Sequence, residues 1–582
     1  MASVKRKKKL FSAKEAARMI ADSVSDLSDE DFELDTDIES ETDAGVRCLD
    51  ETVRPAATAV PQLFEWEEYP DIDPWEALWL PEFNKRRGIL VDADDFEPIH
   101  YFKLFFPDSV FDLMSVETNR YAEQFFDSPT ELPTFSRFHK WVPTTATEMK
   151  GFVALQIEMG LDWRYRVSEH WSTRSLSRGC FGTVMSRDRY MLLQNFLHFA
   201  DNGMQPKKGE DNYNPLYKIQ PLMDLTLPTY RKVYQPGANL SVDESMIRYK
   251  GRLAFRQYMP NKPTKYGIKD FVLAESETGY CLNLMTYTGK DSFLRTRDTP
   301  LTTQVVTDLL KGYEHAGHVV YMDNFYSSPD LFQKLQLAGI GACGTVRQNR
   351  RNMPEVVRPD KLKLKRGDAP VFYRSGDMVA CAWQDVKRVT SLSTVHTNNT
   401  CEKTIRERGN PDGRTLDKPV MIEEYNWKMS GVDRLDQMLG SYAYCHKSVK
   451  WYQTVYHRIR EIALTNGHIL HKLDKDKGAN CVDGAVFRKQ VVNGLLSEYV
   501  PVASRPRGRP SMEPVPNRLQ ERHFPASYED KKYKPDCEVC SSRDRQNGKK
   551  RHQCNTFCKQ CQLPMHAVAC FERYHTVRDY RK

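Results

Sequence analysis

The sequence predicts a multidomain protein of the α+β class, in which a mixed α/β core follows a helical region and precedes a small cysteine-rich end. Three observations support this class. Helical hydrophobic spacing extends over residues 61–235, strand patterns begin after Pro236 and Gly237, and six of the 14 cysteines lie between residues 537 and 570. With 582 residues, the chain is long enough for several domains.

Hydrophobic spacing also predicts the elements in chain order. Val110, Leu113 and Met114 recur at i, i+3 and i+4, as on one face of a helix. Strand patterns follow in 238–247, 271–289, 318–327 and 339–349. The predicted regions are a disordered tail (1–60), a helical domain (61–235), a first part of the core (236–347), a β-rich insertion (348–420), a second part of the core (421–495), a basic linker (496–530) and a cysteine-rich domain (531–582).

Charge is distributed unevenly along the chain, and the net value of +7 hides this. Residues 22–43 hold eleven acidic side chains and neither Lys nor Arg, whereas residues 501–582 hold 18 Lys and Arg against 9 Asp and Glu. The acidic stretch and the preceding basic run KRKKK (5–9) are too polar to bury a core, which predicts disorder. The basic end favours a polyanionic partner.

A membrane location is not expected. The sequence has no run of about 20 apolar residues, and its start, MASVKRKKKLF, lacks the apolar region of a secretory signal. The run KRKKK is typical of a nuclear import signal. We therefore expect a nuclear protein without a membrane partner, in which disulfides are not favoured.

Four aspartates form the candidate catalytic site. Asp243 and Asp323 each follow an apolar strand pattern, while Asp433 and Asp436 share one face of a helix that opens at Gly431. If the fold brings the four together, their like charges require cations, and Mg²⁺ prefers such oxygen ligands. Two such ions can activate a water or hydroxyl for attack on a phosphodiester. The alternative is that these aspartates are ordinary caps and turn residues.

Cysteine and histidine spacing near the chain end predicts two zinc sites. CxxC pairs place two thiolates on one tetrahedral Zn²⁺, and a region this small has too little core to fold without metal. The eight predicted ligands are Cys537, Cys540, Cys554, Cys558, Cys561, His566, Cys570 and His575. Their pairing stays open, with an interleaved cross-brace as one arrangement. A protein-binding role is the alternative to DNA binding.

Four blocks in order resemble the signature blocks of the piggyBac transposase family. They are SVDESMIRYKGRLAFRQYMPNKPTKYGIK (241–269), YMDNFYSSPDLF (321–332), GTVRQNR (344–350) and YNWKMSGVDRLDQM (425–438). The resemblance implies an RNase H-like catalytic core with Asp243, Asp323, Asp433 and Asp436 as its acidic residues. It also implies a helical N-terminal domain for DNA binding and dimerisation, a β-rich insertion and a C-terminal zinc domain that binds transposon ends.

The activity implied by this resemblance is cut-and-paste transposition. The enzyme would bind the terminal inverted repeats, excise the element through hairpin intermediates and insert it at TTAA sites as a homodimer or larger assembly. Two Mg²⁺ ions would serve each active site, with Mn²⁺ able to substitute, and two Zn²⁺ ions the C-terminal domain. The alternative is a domesticated, catalytically inactive protein that binds specific DNA.

Basic and aromatic residues near the aspartate motifs are candidate DNA contacts, because Lys and Arg neutralise phosphates and aromatic rings stack on exposed bases. Those around the core are Arg248, Lys250, Arg252, Arg256, Lys262, Lys265, Lys269, Arg347, Lys447, Lys450, Trp451, Arg458 and Arg460. In the linker, Arg507 and Arg509 lie in a PRGRP sequence that resembles an AT-hook. The alternative is a solvated surface with ordinary core aromatics.

Overall fold

The computed structural model describes most of the chain between residues 64 and 580. The described residues are 64–69, 79–128, 132, 136–172, 180–260, 262, 264–289, 299–407, 410–444, 446–474, 481–501, 517–519, 522–541, 552–577 and 579–580. The predicted tail (1–60), KRKKK and the AT-hook-like arginines Arg507 and Arg509 lie outside these residues. The chain divides into two compact units, Met1–Val502 and Ala503–Lys582. Within the described residues, no helix has the length and apolar character to cross a membrane.

Helices dominate the first part of the larger unit. They are α1 (Pro98–Lys103), α2 (Asp108–Phe126), α3 (Ala146–Leu161), α4 (Phe181–Val184), α5 (Arg187–Phe196) and α6 (Gln220–Lys232). Thr145 and Ser186 begin α3 and α5 by accepting hydrogen bonds from the backbone N–H groups of Glu148 and Arg189. A short pair of strands, β2 (Gly88–Ile89) and β3 (Tyr234–Gln235), brackets this region.

A mixed sheet forms the centre of the larger unit. Its five central strands are β4 (Asn239–Arg248), β6 (Tyr266–Glu275), β7 (Cys281–Thr286), β8 (Val319–Met322) and β9 (Gly341–Thr345). In the order β7-β6-β4-β8-β9, the first two pairings are antiparallel and the last two are parallel. Helices α7 (Leu301–Leu310) and α8 (Pro329–Leu337) provide the connections that parallel strands require. The short strand β5 (Gln257–Tyr258) also pairs with β6.

The predicted β-rich insertion is largely continuous with this sheet. Strands β10 (Val371–Ser375), β11 (Met378–Gln384) and β12 (Arg388–Ser393) extend it, since β12 pairs with β9, and β1 (Glu67–Glu68) pairs with β10. The hairpin of β13 (Thr400–Glu407) and β14 (Asn410–Pro419) forms a separate two-stranded sheet. The sequence predicted the β-rich insertion as a separate module, because the pattern of a short strand does not indicate which sheet edge it joins. In the structure, β10, β11 and β12 instead lengthen the main sheet.

Four helices close the larger unit, and the first three of them contact strands of the sheet. They are α9 (Val420–Lys428), α10 (Gly431–Ser441), α11 (Trp451–Leu473) and α12 (Gly484–Ser497). Helix α10 begins very close to the sheet, because a Cβ on Gly431 would lie 2.3 Å from Ser241 Oγ and 2.8 Å from the Glu275 carbonyl oxygen. Only glycine permits this approach. The helix is thereby seated on β4 and β6.

The smaller unit is built around its cysteines. Strand β15 (Pro525–Ser527) pairs with β16 (Thr556–Cys558), and helix α13 (Ala569–Thr576) follows. Its buried residues include Cys537, Cys558 and Met565. Strand β15 lies in the segment that was predicted to be linker, so the folded part of this unit begins before residue 531.

Candidate active site and metal clusters

Asp243 and Asp323 lie next to each other where the parallel pairing of β4 with β8 ends; Asp323 follows β8, whereas Asp243 lies within β4, which continues to Arg248. The pairing of β4 with β8 ends at Val242 and Met322, and each aspartate is the next residue. Both side chains are largely withdrawn from solvent, that of Asp243 to 13% exposure. The structure therefore places together the two aspartates that the strand patterns single out.

Burial and neighbouring carboxylates disfavour the charged forms of this pair. Burial is the largest cause that raises the pKa of Asp243 to about 7, and the carboxylates of Glu244 and Asp323 add to it. Lys262 opposes the increase, with its Nζ 3.9 Å from Asp243 Oδ2. Burial, followed by the Glu244 charge, also raises the pKa of Asp323. The site has more buried negative charge than its lysines compensate, which favours a cation.

Helix α10 covers the face of β4 that carries Asp243. Side chains alternate along a strand, so Ser241, Asp243 and Ser245 share a face. The helix touches this face at both ends, through Gly431 against Ser241 and through Asp436, whose Oδ1 accepts a 2.6 Å hydrogen bond from Ser245 Oγ. Asp433 and Asp436 are thus carried on the helix that lies over Asp243.

The two helix aspartates have different environments. Asp436 also accepts a 2.7 Å bond from Arg458 Nη2, while the Asp433 side chain is exposed. Among the described residues, no three acidic side chains offer ligand atoms that all lie within 4.8 Å of one another. The four predicted residues therefore share a region, with only Asp243 and Asp323 at adjoining positions.

Tyr326 and Glu244 were not predicted to belong to this region, and Lys269 was predicted only as a DNA contact. Tyr326 OH donates to Glu244 Oε2 at 3.4 Å, and the Lys269 ammonium lies 4.7 Å from the ring centres of both Phe271 and Phe325. Burial lowers the pKa of Lys269, against the effect of the three nearby carboxylates. Glu244 directly follows Asp243, but strand alternation assigns it to the opposite face, so the strand pattern did not single it out.

The predicted DNA contacts separate into exposed and structural residues. The exposed ones are Arg248, Lys250, Arg252, Arg256, Lys265, Arg347 and Lys447. Lys450 instead donates to the Asn195 carbonyl oxygen at 2.6 Å and lies over the Tyr121 ring. Trp451 packs edge-on against Phe255. Lys450 and Trp451 are thus engaged in packing, which corrects their prediction as DNA contacts.

Arg460 and Arg458 are also internal. Arg460 is fully buried and donates to Gln156 Oε1 at 2.7 Å and to Glu461 Oε1 at 2.8 Å. Arg488 completes this network through a 2.6 Å bond to Glu461 Oε2. Arg458 is engaged with Asp436. The sequence does not distinguish a basic DNA contact from a core ion-pair partner on the same helix. In the structure, Arg458 and Arg460 both form ion pairs.

Two groups of cysteine and histidine side chains form in the smaller unit. One contains His523, Cys558, Cys561 and His575, and the other contains Cys537, Cys540, His566 and Cys570. In each group all ligand atoms lie within 4.8 Å of one another. Five of the seven sulfur–nitrogen separations within these groups are 3.3 to 3.6 Å. Tetrahedral Zn²⁺ with ordinary bond lengths requires about 3.5 Å between a sulfur and a nitrogen ligand, so both groups fit zinc.

The ligand set differs from the prediction at one position. Cys554 belongs to neither group, and its Sγ donates to the Thr556 carbonyl oxygen at 3.5 Å. His523 takes its place, because the pairing of Pro525 with Cys558 brings the residues before β15 next to the second CxxC. The two groups alternate along the chain, which is the interleaved arrangement that the sequence left open.

A hydrogen bond orients one histidine for metal binding. His575 Nδ1 lies 2.8 Å from the Phe571 carbonyl oxygen, and its Nε2 lies 3.6 Å from Cys561 Sγ. With the proton on Nδ1, the Nε2 lone pair points into the group. Such a bond on the second ring nitrogen is the usual support of a ligating histidine.

Comparison with known proteins identifies the class of this chain as a transposase. A sequence model of the family described as Transposase IS4 matches residues 97–468. Human PiggyBac transposable element-derived protein 3 is 26% identical over 491 residues, which cover 82% of this chain and 76% of that protein. Human PiggyBac transposable element-derived protein 5 is 23% identical over 412 residues, which cover 68% and 75%.

A solved structure gives the same result. A cryo-EM structure of the piggyBac transposase synaptic complex with hairpin DNA matches with a TM-score of 0.62 and 25% sequence identity, over 83% of this chain and 97% of that chain. The family match covers more than half of the sequence. The chain belongs to this transposase family, and its relatives place it among the piggyBac-type members.

Proposed function

We propose that the protein is a metal-dependent DNA transposase of the DDD type, which excises its element through hairpin intermediates and inserts it at TTAA sites. The observation that carries the proposal is the pair Asp243 and Asp323, which lie side by side where the parallel pairing of β4 with β8 ends, on the strand face that the helix of Asp433 covers. The strand order β7-β6-β4-β8-β9, with three antiparallel strands followed by two parallel ones, supports an RNase H-like core. The hairpin DNA in the structural relative supports the hairpin step.

Mg²⁺, or Mn²⁺ in its place, fits the carboxylate site. The raised pKa of both Asp243 and Asp323 reports buried negative charge, and their oxygens are the ligands that hard cations prefer. Asp243, Asp323 and Asp433 would hold two ions. Bound there, such ions supply activation of a water or 3′-hydroxyl and stabilise charge on the phosphate. Lys262 and Lys269 limit the repulsion among the carboxylates while the site is empty of DNA.

The exposed basic residues provide the binding surface for double-stranded DNA. Arg248, Lys250, Arg252 and Arg256 follow β4 and so extend from the strand that carries Asp243. Their charges neutralise phosphates and release counterions. Arg507 and Arg509 would enter an A·T-rich minor groove through the PRGRP sequence. Two transposon ends require two active sites, so the protein acts as a homodimer or a larger assembly, in the nucleus to which KRKKK directs it.

The smaller unit binds the terminal inverted repeats and holds two Zn²⁺ ions. One ion would use His523, Cys558, Cys561 and His575, and the other Cys537, Cys540, His566 and Cys570. The compact sulfur–nitrogen geometry supports both sites, and the basic surroundings of the cysteines favour DNA as the partner.

A domesticated protein that binds specific DNA without cutting it is the second candidate. It is favoured by one observation, the names of the human relatives, which are transposable element-derived proteins. The two candidates agree on DNA binding and differ in strand cleavage.

Cleavage of a TTAA-flanked element by purified protein and Mg²⁺ separates the two candidates. The transposase proposal predicts hairpin-ended excision products that disappear in Asp323→Asn and persist in Asp112→Asn, which changes an exposed aspartate of α2. Specific end binding should survive in all three proteins. Binding without cleavage by the unaltered protein would favour the domesticated alternative.

A further inference from the structure

Asp436 is held by two side chains from different elements. Its Oδ1 accepts from Ser245 Oγ on β4 at 2.6 Å and from Arg458 Nη2 on α11 at 2.7 Å. Arg458 Nη2 also donates to Ser245 Oγ, which closes a triangle of three polar groups. The triangle joins β4, α10 and α11 at one point.

Two of the three side chains in the triangle are largely shielded from solvent. Ser245 is 1% exposed and the Arg458 side chain 12% exposed. Ser245 pairs across the sheet with Asp270, which is itself buried and accepts a 2.7 Å bond from Thr286 Oγ1. Arg458 is therefore the cation for a pocket that contains two carboxylates. Removing Asp436 would leave the Arg458 guanidinium without its ion-pair partner, and removing Arg458 would leave the buried Asp270 and the 38% exposed Asp436 side chain without their cation.

Such a carboxylate is poorly suited to hold a metal ion. Its Oδ1 is already occupied by two donors, and a metal bound there would stand next to a guanidinium of like charge. Asp433 differs, because it is exposed on the same helix face, three residues earlier. Of the two helix aspartates, Asp433 is the more exposed, whereas Asp436, with a 38% exposed side chain, has one oxygen engaged by Ser245 and Arg458.

The triangle also determines where α10 lies on the sheet. Gly431 fixes the start of the helix against Ser241, and Asp436 fixes a point more than one turn later against Ser245, two residues on the same strand face. Two contacts on one strand define both the position of the helix along β4 and its rotation. Asp433 lies between these two contacts in the sequence, so rotation of α10 about its axis would change the position of Asp433 relative to β4.

We propose that Asp436 is a positioning residue and not a metal ligand, and that Ser245, Asp436 and Arg458 form a clamp that orients α10 so that Asp433 faces Asp243 and Asp323. This inference rests on the proposed metal-dependent function, since it assigns roles within the same site. It corrects the sequence-based assignment of Asp436 as a fourth ligand.

A double-mutant cycle on the full chain tests the clamp without requiring catalysis. The variants are Asp436→Asn, Arg458→Met and the double variant, and the readout is the unfolding equilibrium constant in EDTA. Each single change should raise the unfolding equilibrium constant. In the double variant, this constant should be about tenfold smaller than the value obtained by multiplying the two single effects. Independent effects of the two changes would overturn the clamp. Ser245→Ala and Arg458→Lys provide milder variants if a single change prevents folding, and Lys should restore part of the loss.

Binding of Mn²⁺, followed by electron paramagnetic resonance, separates positioning from ligation. Asp436→Asn keeps an Oδ1 that can accept from Ser245 and Arg458, so it should bind Mn²⁺ within about threefold of the unaltered protein, whereas Asp433→Asn should weaken binding by about tenfold or more. Equal weakening in Asp433→Asn and in both Asp436 variants would overturn the proposal. If the unaltered protein binds Mn²⁺ but cuts no DNA, the proposed function fails. The double-mutant cycle still shows in that case whether Asp436 and Arg458 are coupled.

Discussion

Asp243 and Asp323 each stand one residue beyond the last paired position of two adjacent parallel strands, where Val242 faces Met322. The pairing fixes the two carboxylates side by side without any bond between them. Their shared burial raises both pKa values, so the same geometry that stores unfavourable charge in the metal-free protein creates affinity for a cation. Stability and function are therefore opposed at these positions.

Neutralising Asp243 should stabilise the metal-free protein. Folding raises the pKa of the Asp243 carboxyl group from 3.8 to about 7. The folded protein therefore loses stability as the pH increases through that interval. At pH 7.5 in EDTA, we expect Asp243→Asn to unfold with a free energy higher by on the order of 2 kcal/mol. Denaturant unfolding of the core measures this, with Asp112→Asn as the matched control. A less stable Asp243→Asn would contradict the electrostatic account.

Zinc content should distinguish His523 from Cys554. Because His523 belongs to a ligand group and Cys554 does not, His523→Ala should lower the zinc content from two ions per chain toward one, and Cys554→Ser should leave it at two. Metal analysis of purified protein after dialysis gives the numbers. Loss of one ion in Cys554→Ser, with two retained in His523→Ala, would restore the sequence-based ligand set.

Arg460 and Arg248 should have opposite effects on stability and DNA binding. Arg460→Met leaves Glu461 and Arg488 in a broken buried network, which should cost about 3 kcal/mol of unfolding free energy. Arg248→Ala changes an exposed residue and should alter stability by less than about 0.5 kcal/mol. It should instead reduce the salt dependence of DNA binding by about one phosphate contact. Unfolding curves and salt titrations of binding test both, and interchanged effects would refute the assignment.

An ion pair between a buried histidine and a partly exposed glutamate should make the larger unit sensitive to alkaline pH. His396 Nε2 lies 3.3 Å from Glu424 Oε2. Burial opposes the charged histidine, but the Cys343 sulfur and Glu424 outweigh it and raise the pKa of His396 to about 9. The hydrogen bond from His396 is the main cause that lowers the pKa of Glu424 to about 2. The pair connects α9 to the sheet.

The raised pKa of His396 determines how the free energy of unfolding changes with pH. A raised pKa stabilises the fold fully below the unfolded value near 6.5, and the contribution is lost as the pH rises through about 9. We expect unfolding free energy to fall over this interval by on the order of 2 kcal/mol, a value discounted for the partial exposure of Glu424. His396→Gln should flatten the pH profile, whereas exposed His139→Gln should not. An unchanged profile in His396→Gln would rule out this source.

The position of Asp323 after a strand could be predicted from the sequence because its signal is local: the apolar run that ends at Met322 is β8. Asp243 also follows an apolar run, but β4 continues through it to Arg248, and only the pairing with β8 ends there. The helical region and the cysteine groups also rest on spacing within short segments. These features need no knowledge of which distant residues meet.

The remaining features depend on contacts between distant parts of the chain. Ser245 and Arg458 are 213 residues apart and meet only through the packing of β4 with α10 and α11. His523 becomes a candidate ligand through the pairing of β15 with β16, and β12 joins the main sheet through β9. Hydrophobic periodicity predicts that such elements exist and leaves their partners open, so Lys450, Trp451 and Arg460 could not be separated from the exposed basic residues.

Asp243 and Asp323 are proposed to hold the catalytic metal ions. If they do, replacing a carboxylate ligand by a thiolate should change which metal ion supports cleavage. Thiolate is a softer ligand than carboxylate, so Asp323→Cys should disfavour Mg²⁺ more than Mn²⁺. We expect strand cleavage by Asp323→Cys to fall at least about 10³-fold in Mg²⁺ and to recover in part in Mn²⁺, while Asp112→Cys matches the unaltered protein in both. Cleavage by Asp323→Cys at the unaltered rate in Mg²⁺ would contradict the claim.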